Sequence, residues 1–299
     1  MSPNVQQARR PISTLLLASD GSPAMEGVIA MTQALSARDS AAVHVVTAVE
    51  PLPVMVPEVN LPIPPDLERT RRENLETHVR EQVEQVVPSD RKWTVSITNG
   101  RPDSVIADAA RDRHADLIVL GLGTHGIVDR WFGGETALRV LRVAQVPLFA
   151  VAPTHTTLPR RVLVAMDFSE HAERALADAL SVMDDRAELT FAHAVSREFS
   201  MDVWPDWDRG YEETLTGSFA ELRRHVAVPA SMKAQDLVLH GDPTRELLQH
   251  AERMNADLIV AGSHGRGFIA GTLLGRVSTK LIRGAKCSVF VAPPVKAAT

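Results

Sequence analysis

Short apolar runs rich in β-branched residues alternate with longer amphipathic stretches along the whole chain. In the first half these runs are Thr14–Ala18, Val43–Val49, Thr94–Thr98, Leu117–Leu120 and Leu148–Val151. Their length and composition predict strands buried on both faces of a sheet. Between them the period changes to that of a helix. Leu75, Val79, Val83 and Val86 fall on one stripe, as do Tyr211, Leu215, Phe219, Leu222 and Val226 in the second half. Charged residues fill the other faces, as a solvated surface requires. Ser22 before Pro23, and Ser169 before Glu170, predict N-caps entering a first helical turn. Five strands alternating with helices predict a parallel, doubly wound α/β sheet in each half.

The second half repeats the first. Ile12 to Ser22 matches Arg161 to Ser169, Gly100-Arg-Pro102 matches Gly241-Asp-Pro243, and Ala115 to Val119 matches Ala256 to Val260. Thr124-His-Gly126 matches Ser263-His-Gly265, and Val146 to Pro153 matches Cys287 to Pro293. The offsets are 147, 141, 141, 139 and 141 residues, so a whole domain is duplicated rather than a short solenoid unit. The expected domains are 1–153 and 160–299, divided by the polar stretch Thr154 to Pro159. By the same matching, Leu120 to Gly126 makes the fourth strand of the first half two residues longer than its partner. Two segments break the pattern: the proline-rich Pro51–Pro65, and Ser196–Asp208 with Trp204 and Trp207. Both follow a second strand and read as surface connections.

Composition narrows the function classes. Lys plus Arg number 32 against 37 for Asp plus Glu, a net charge of −5, which argues against a general nucleic-acid binder. Aromatic residues at 4% supply no stacking platform for single strands. No run reaches the roughly 20 apolar residues of a membrane span. The stretch from Ile12 to Ala18 after Arg9 and Arg10 reads as a buried strand rather than a signal peptide. The single Cys287 cannot form an internal disulfide and suits a cytoplasmic protein.

In open α/β sheets, ligands bind beyond the carboxyl ends of the strands near the switch in strand order. Three features of the second half converge there. Asp167 ends the first strand, Gly262-Ser-His264-Gly265 ends the fourth, and Gly275-Arg-Val-Ser278 opens the last helix. Glycines allow close backbone approach. Free N–H groups at a helix start favour an anion. A strand-tip carboxylate can accept hydrogen bonds from a ribose hydroxyl or an adenine amino group.

At these residues the chain resembles the universal stress protein family. That family's signature is Gly, two residues, Gly, nine residues, Gly, then Ser or Thr, and Gly262, Gly265 and Gly275 reproduce its glycine spacing. Asp167, the Gly241-Asp-Pro243 turn and the run Ala285 to Val291 are similar to it as well. The resemblance covers nearly the whole chain as a tandem pair. It implies two Rossmann-like, adenine nucleotide alpha-hydrolase-like domains of five parallel strands, with ATP across the strand ends and Mg2+ held through the phosphates. The implied contacts are Ala165, Met166, Asp167, Ala194, Gly262, His264, Gly265, Gly275, Arg276, Val277 and Ser278. It also implies that fifth strands pair. Leu148–Val151 with Val289–Val291 would make an intramolecular pseudo-dimer, a homodimer remaining open.

Arg276 departs from the family's Ser or Thr, and its guanidinium could grip a triphosphate bidentately or point to solvent. The first half departs further. Asp20, Val45, Gly123, Gly126, Gly134 and Thr136 keep parts of a site. Between Gly126 and Gly134, however, lie only the seven residues Ile127 to Gly133, and Glu135 stands in the phosphate position. A carboxylate there satisfies the helix dipole and repels phosphate, so this site is expected to be degenerate. The eleven histidines accompany no zinc pattern. His44 and His193 read as satisfied histidines near the end of the second strand, and His125 and His264 as loop residues that orient backbone or phosphate. No P-loop or nucleophile elbow is present, and Cys287 reads as a small core residue. Three functions stay open: an ATP-binding regulatory or protective stress protein, a slow ATP hydrolase or phosphoryl-transfer protein, and a nucleotide-free interaction module.

Overall fold

The computed structural model describes residues 9–50, 65–123, 134–195, 207–264 and 274–293. Residues 51–64, 196–206, Gly126 and Gly265 therefore lie outside the described residues. The first half runs β1 (Thr14–Ala18), α1 (Met25–Asp39), β2 (Ala42–Val49), α2 (Pro65–Val86), β3 (Thr94–Asn99), α3 (Pro102–Asp112), β4 (Leu117–Gly121), α4 (Gly134–Val143) and β5 (Leu148–Val151). The second runs β6 (Arg161–Ala165), α5 (Glu170–Ala179), a 3-10 turn (Leu180–Val182), β7 (Glu188–Val195), α6 (Trp207–His225), β8 (Lys233–His240), α7 (Pro243–Arg253), β9 (Leu258–Gly262), α8 (Arg276–Gly284) and β10 (Ser288–Ala292). The five first-half strands expected from the sequence are all present, within one residue at either end.

All ten strands form one sheet in the order β3-β2-β1-β4-β5-β10-β9-β6-β7-β8. Each half has the doubly wound order, with its switch between the first and fourth strands. Every junction within a half is parallel. The junction between halves is antiparallel, with Val289 opposite Ala150, Phe290 opposite Phe149 and Val291 opposite Leu148. The expected intramolecular pairing of the fifth strands is thus present. Because this pairing reverses direction, the carboxyl ends of the two sets of strands face opposite edges of the sheet.

Alternation along β5 and β10 decides which core each side chain joins. Phe149 and Phe290 enter one continuous core beneath α1, α2, α5 and α6, which takes residues from both halves. On the other face, Leu148, Ala150, Val289 and Val291 join a core under α3 and α4. A separate core lies under α7 and α8. Of the helical stripes, Val79, Val83, Leu215, Phe219, Leu222 and Val226 are buried, Leu75 and Val86 pack half-buried against the same core, and the Tyr211 side chain lies outside the described residues. One cap differs. Ser169 accepts a hydrogen bond from the Ala172 amide, as an N-cap should, but α1 begins three residues after Ser22, with Ala24 at its cap position. Pro23 and Ala24 form a turn first, and the Met25 amide bonds to the Ser22 carbonyl at 3.0 Å.

Polar contacts tie the halves outside the strands. The Arg38 guanidinium, at the end of α1, donates to the carbonyls of Met183 (2.9 Å) and Ser181. It is held in place by Asp39, which also binds Arg9 and the Ile12 amide. Burial alone would raise the Asp39 carboxyl. The Arg38 hydrogen bond, the Ile12 amide and the two arginine charges hold it below the usual carboxylate range. At the linker, the buried Ser288 hydroxyl oxygen accepts from the Ala152 amide at 3.0 Å and meets His155 Nδ1 at 3.0 Å.

The paired phenylalanines are the point at which one half most directly stabilises the other. Phe149→Ala and Phe290→Ala should each lower stability by about 3–5 kcal/mol, the usual range for a buried Phe. A double-mutant cycle by urea denaturation should give a coupling of about 0.5–3 kcal/mol. Strict additivity would mean that the two rings do not share one core.

Candidate functional site

In the second half the chain turns sharply after β6. Ser169 donates from both its amide (3.1 Å) and its hydroxyl (2.6 Å) to Asp167 Oδ1, closing a small loop before α5. Phe168 between them has φ +57°, a left-handed conformation costly for a bulky residue. Its ring lies 4.9 Å from that of Phe219 and 5.0 Å from that of His193. This packing offsets the strain. His193 Nδ1 is 2.7 Å from the Met166 carbonyl, which can only accept, so Nδ1 carries the proton.

The exit from β9 is equally tight. A Cβ on Gly262 would lie 2.9 Å from the backbone of His171, so the glycine here admits the first turn of α5. The Ser263 carbonyl accepts from the Gly275 amide at 2.7 Å and from the Ser278 hydroxyl at 3.2 Å. A Cβ on Gly275 would lie 3.0 Å from that same carbonyl. Both glycines therefore answer packing within the protein. His264 is 5% exposed, with Nδ1 3.0 Å from the Ser263 hydroxyl and its ring 5.7 Å from that of His171. Burial, and then the neighbouring His264, push the His171 imidazole below its ordinary value.

These turns enclose a cleft of about 180 Å³ at the carboxyl ends of β6, β7 and β9. Ala165, Met166, Asp167, Ala194, Gly262, His264, Gly275, Val277 and Ser278 all line it. Of the remaining sequence candidates, Arg276 stands exposed on the first turn of α8, and Gly265 lies outside the described residues. Ala172, Ala192, His193, Pro243, Leu247 and Ala261, which complete the lining, were not among the site residues expected from the sequence, where His193 read as a satisfied histidine. Pro243 belongs to the Gly241-Asp-Pro243 repeat, and its place was legible there. The others are reached only by packing. Larger polar hollows of about 350 and 500 Å³ lie around the linker. Their charges are largely matched within the protein, as in Arg161–Asp257 and Lys286–Glu252. They also sit at the amino ends of the second-half strands, away from the switch point.

The first half keeps the strand-tip turn. Asp20 Oδ1 accepts from the Ser22 amide at 2.9 Å, and Gly21, with φ +71°, stands where Phe168 stands in the repeat. Here α2 closes over the turn: Gln82 Nε2 donates to the carbonyls of Gly21 (3.2 Å) and Ser22 (3.0 Å). The strand register also revises one correspondence. Ser19 and Met166 donate to the carbonyls of Val46 and Ala192 respectively, so Ala48 is the partner of Ala194. Val45 is instead a fully buried core residue. His44 accordingly lies near the start of β2, where its Nδ1 meets Thr94 Oγ1 at 2.5 Å.

The glycine spacing changes too. β4 and β9 are both five residues long, ending at Gly121 and Gly262. Each is followed by twelve residues, 122–133 and 263–274, before Gly134 and Gly275. The first half thus has neither a longer strand nor a shorter loop, and its glycines have shifted within a segment of equal length. Gly123 follows β4 and is half-buried, and Thr136 is buried in α4. What distinguishes the start of α4 is its surroundings. A Cβ on Gly134 would lie 3.1 Å from the Ile282 carbonyl of α8, and Glu135 binds Arg283 at 2.7 Å. That hydrogen bond holds the Glu135 carboxyl below its ordinary value.

Comparison with known proteins agrees with the sequence resemblance. The model of the universal stress protein family matches residues 11–152 and again 159–293. A universal stress protein of Mycobacterium tuberculosis is 29% identical over 221 residues, covering 70% of this chain and 72% of that protein. One from Mycolicibacterium smegmatis is 30% identical over 235 residues, covering 73% and 76%. The crystal structure of a universal stress protein from Archaeoglobus fulgidus superposes with a TM-score of 0.64 at 20% identity, covering 94% of this chain and 98% of that one. At that identity it speaks for the fold.

Two measurements check this site. Gly262→Ala should cost about 1–3 kcal/mol by forcing α5 from β9; a urea midpoint equal to the wild type's would refute the contact. Burial lowers the imidazoles of His44, His155, His171 and His250 below their ordinary value. An unfolded chain then takes up more protons than the folded one as pH falls below about 6.5. Stability should therefore be fully present above that pH and decline toward 5.5. A midpoint that rises as pH falls through this window would contradict the burial.

Proposed function

The chain belongs to the universal stress protein family, and from that premise we propose that its second half binds ATP in the cleft beyond β6, β7 and β9. The observation that carries this reading is the convergence of Asp167, Ala194, Gly262, His264, Gly275 and Ser278 on one cleft next to the start of α8. The small side chains of Ala165, Ala192 and Ala194 leave room for a flat base, and Asp167 supplies a carboxylate for a ribose hydroxyl. The phosphates would then lie at the first turn of α8, where backbone N–H groups face an anion. Arg276 makes no ion pair among the described residues and can turn its guanidinium toward them. Mg2+ would be held through the phosphates. Binding rather than turnover is the proposed activity, in a cytoplasmic protein with a regulatory or protective role in stress.

We expect one ATP per chain. The start of α4 carries Glu135 and is covered by the end of α8, so charge and packing both oppose a second triphosphate. Native mass spectrometry and calorimetry with ATP should give a stoichiometry near one. Arg276→Gln should weaken ATP binding about tenfold, the loss of one charge-assisted contact, and weaken AMP binding less. Two equivalent sites would overturn the single-site reading, and equal losses for ATP and AMP would overturn the assignment of the phosphates to Arg276.

A further inference from the structure

Helix α8 belongs to two cores at once. Leu281 is fully buried in the second-half core beside α7, whereas the next residue, Ile282, is buried in the first-half core with Leu138 and Leu141 of α4. Leu274, just before the helix, also packs against the first-half core, and Val277 packs against the second. The two ends of α8 are anchored differently. Its start hangs from the Ser263 carbonyl through Gly275 and Ser278, in the wall of the cleft. Its end meets the start of α4 with almost no gap, through Ile282 against Gly134 and Arg283 on Glu135.

From this arrangement we propose that α8 couples occupancy of the second-half cleft to the stability of α4 in the first half. This inference rests on the nucleotide reading above. A helix of nine residues is a rod of about 13 Å, and close-packed interiors do not absorb a displacement locally. A ligand that fixes the first turn of α8 therefore fixes the frame on which Ile282 and Arg283 sit. The direction is set by the contacts: ATP holds α8, α8 holds α4, and disrupting the seam weakens ATP binding in return, since such coupling is reciprocal. The antiparallel sheet junction makes this possible, because it lays the end of one last helix beside the start of the other.

Hydrogen exchange read by mass spectrometry on the full chain tests this, with peptides from α4 as the reporter and peptides from α2 as reference. Saturating ATP should slow exchange in Gly134–Val143 about fivefold or more, with α2 unchanged. Arg283→Gln and Gly134→Val should remove that protection and weaken ATP binding several-fold. Ser278→Ala, which cuts one anchor of α8, should speed α4 exchange with no nucleotide present. Calorimetry in parallel separates the two ideas. If ATP binds and α4 exchange does not change, the coupling is overturned and the nucleotide reading stands. If ATP does not bind, the nucleotide reading falls and Ser278→Ala alone decides the coupling. Unchanged α4 exchange in that variant then overturns it.

Discussion

The antiparallel contact between β5 and β10 is the constraint on which the rest of the molecule depends. Each half presents its fifth strand as a raw sheet edge, and an unpaired edge of apolar residues invites association with other chains. Joining Phe149 to Phe290 and Val289 to Ala150 removes both edges. It leaves β3 and β8 as the outer strands of a ten-stranded sheet, and those carry more polar, exposed positions. The same contact reverses the second half relative to the first. The second-half cleft therefore opens at one rim of the sheet, and the strand tips of the first half face the other.

That reversal also explains why two similar glycine loops have different surroundings. α4 and α8 are forced side by side and run in opposite directions. The start of α4 faces the end of α8, where a carboxylate and a guanidinium complement both helix dipoles. Glu135 and Arg283 fill those places. At the corresponding position of the second half the chain carries Arg276, a cation at a helix start. Unfavourable for the helix alone, it is well suited to an anion placed against it. The duplicated scaffold has thus separated two tasks, one helix start given to holding the halves together and the other left with a positive charge facing solvent.

Glycine plays a double part in this scaffold. Gly262 and Gly275 stand in the family's signature, yet the space that each lacks a side chain to fill is already taken by backbone, from α5 and from Ser263. The cleft is shaped by those close approaches. Helix and strand come near each other at Gly262 and Gly275, and the ligand space is what remains between them. Phe168 shows the same economy: its left-handed backbone is tolerated because the ring is clamped between His193 and Phe219.

Much of this was legible in the linear chain. Strands buried on both faces are continuous apolar runs, and a duplicated domain repeats its turns at a fixed offset. Strand positions and tandem architecture followed from those patterns because they depend on local periodicity and on short motifs, whereas the nine lining residues of the cleft were implied by the family resemblance at the glycine signature and the strand-tip Asp167. The partner of Ala194, the equal length of the two glycine segments and the turn after Ser22 did not follow. Short motifs such as Thr124-His-Gly126 can slide by two residues without changing their appearance, and only the hydrogen-bonded register of β4 and β9 fixes which glycines correspond. The Glu135–Arg283 contact and the shared helix α8 were likewise absent from any local pattern. They join residues nearly 150 positions apart, and it is the tertiary pairing of β5 with β10 that brings them into contact.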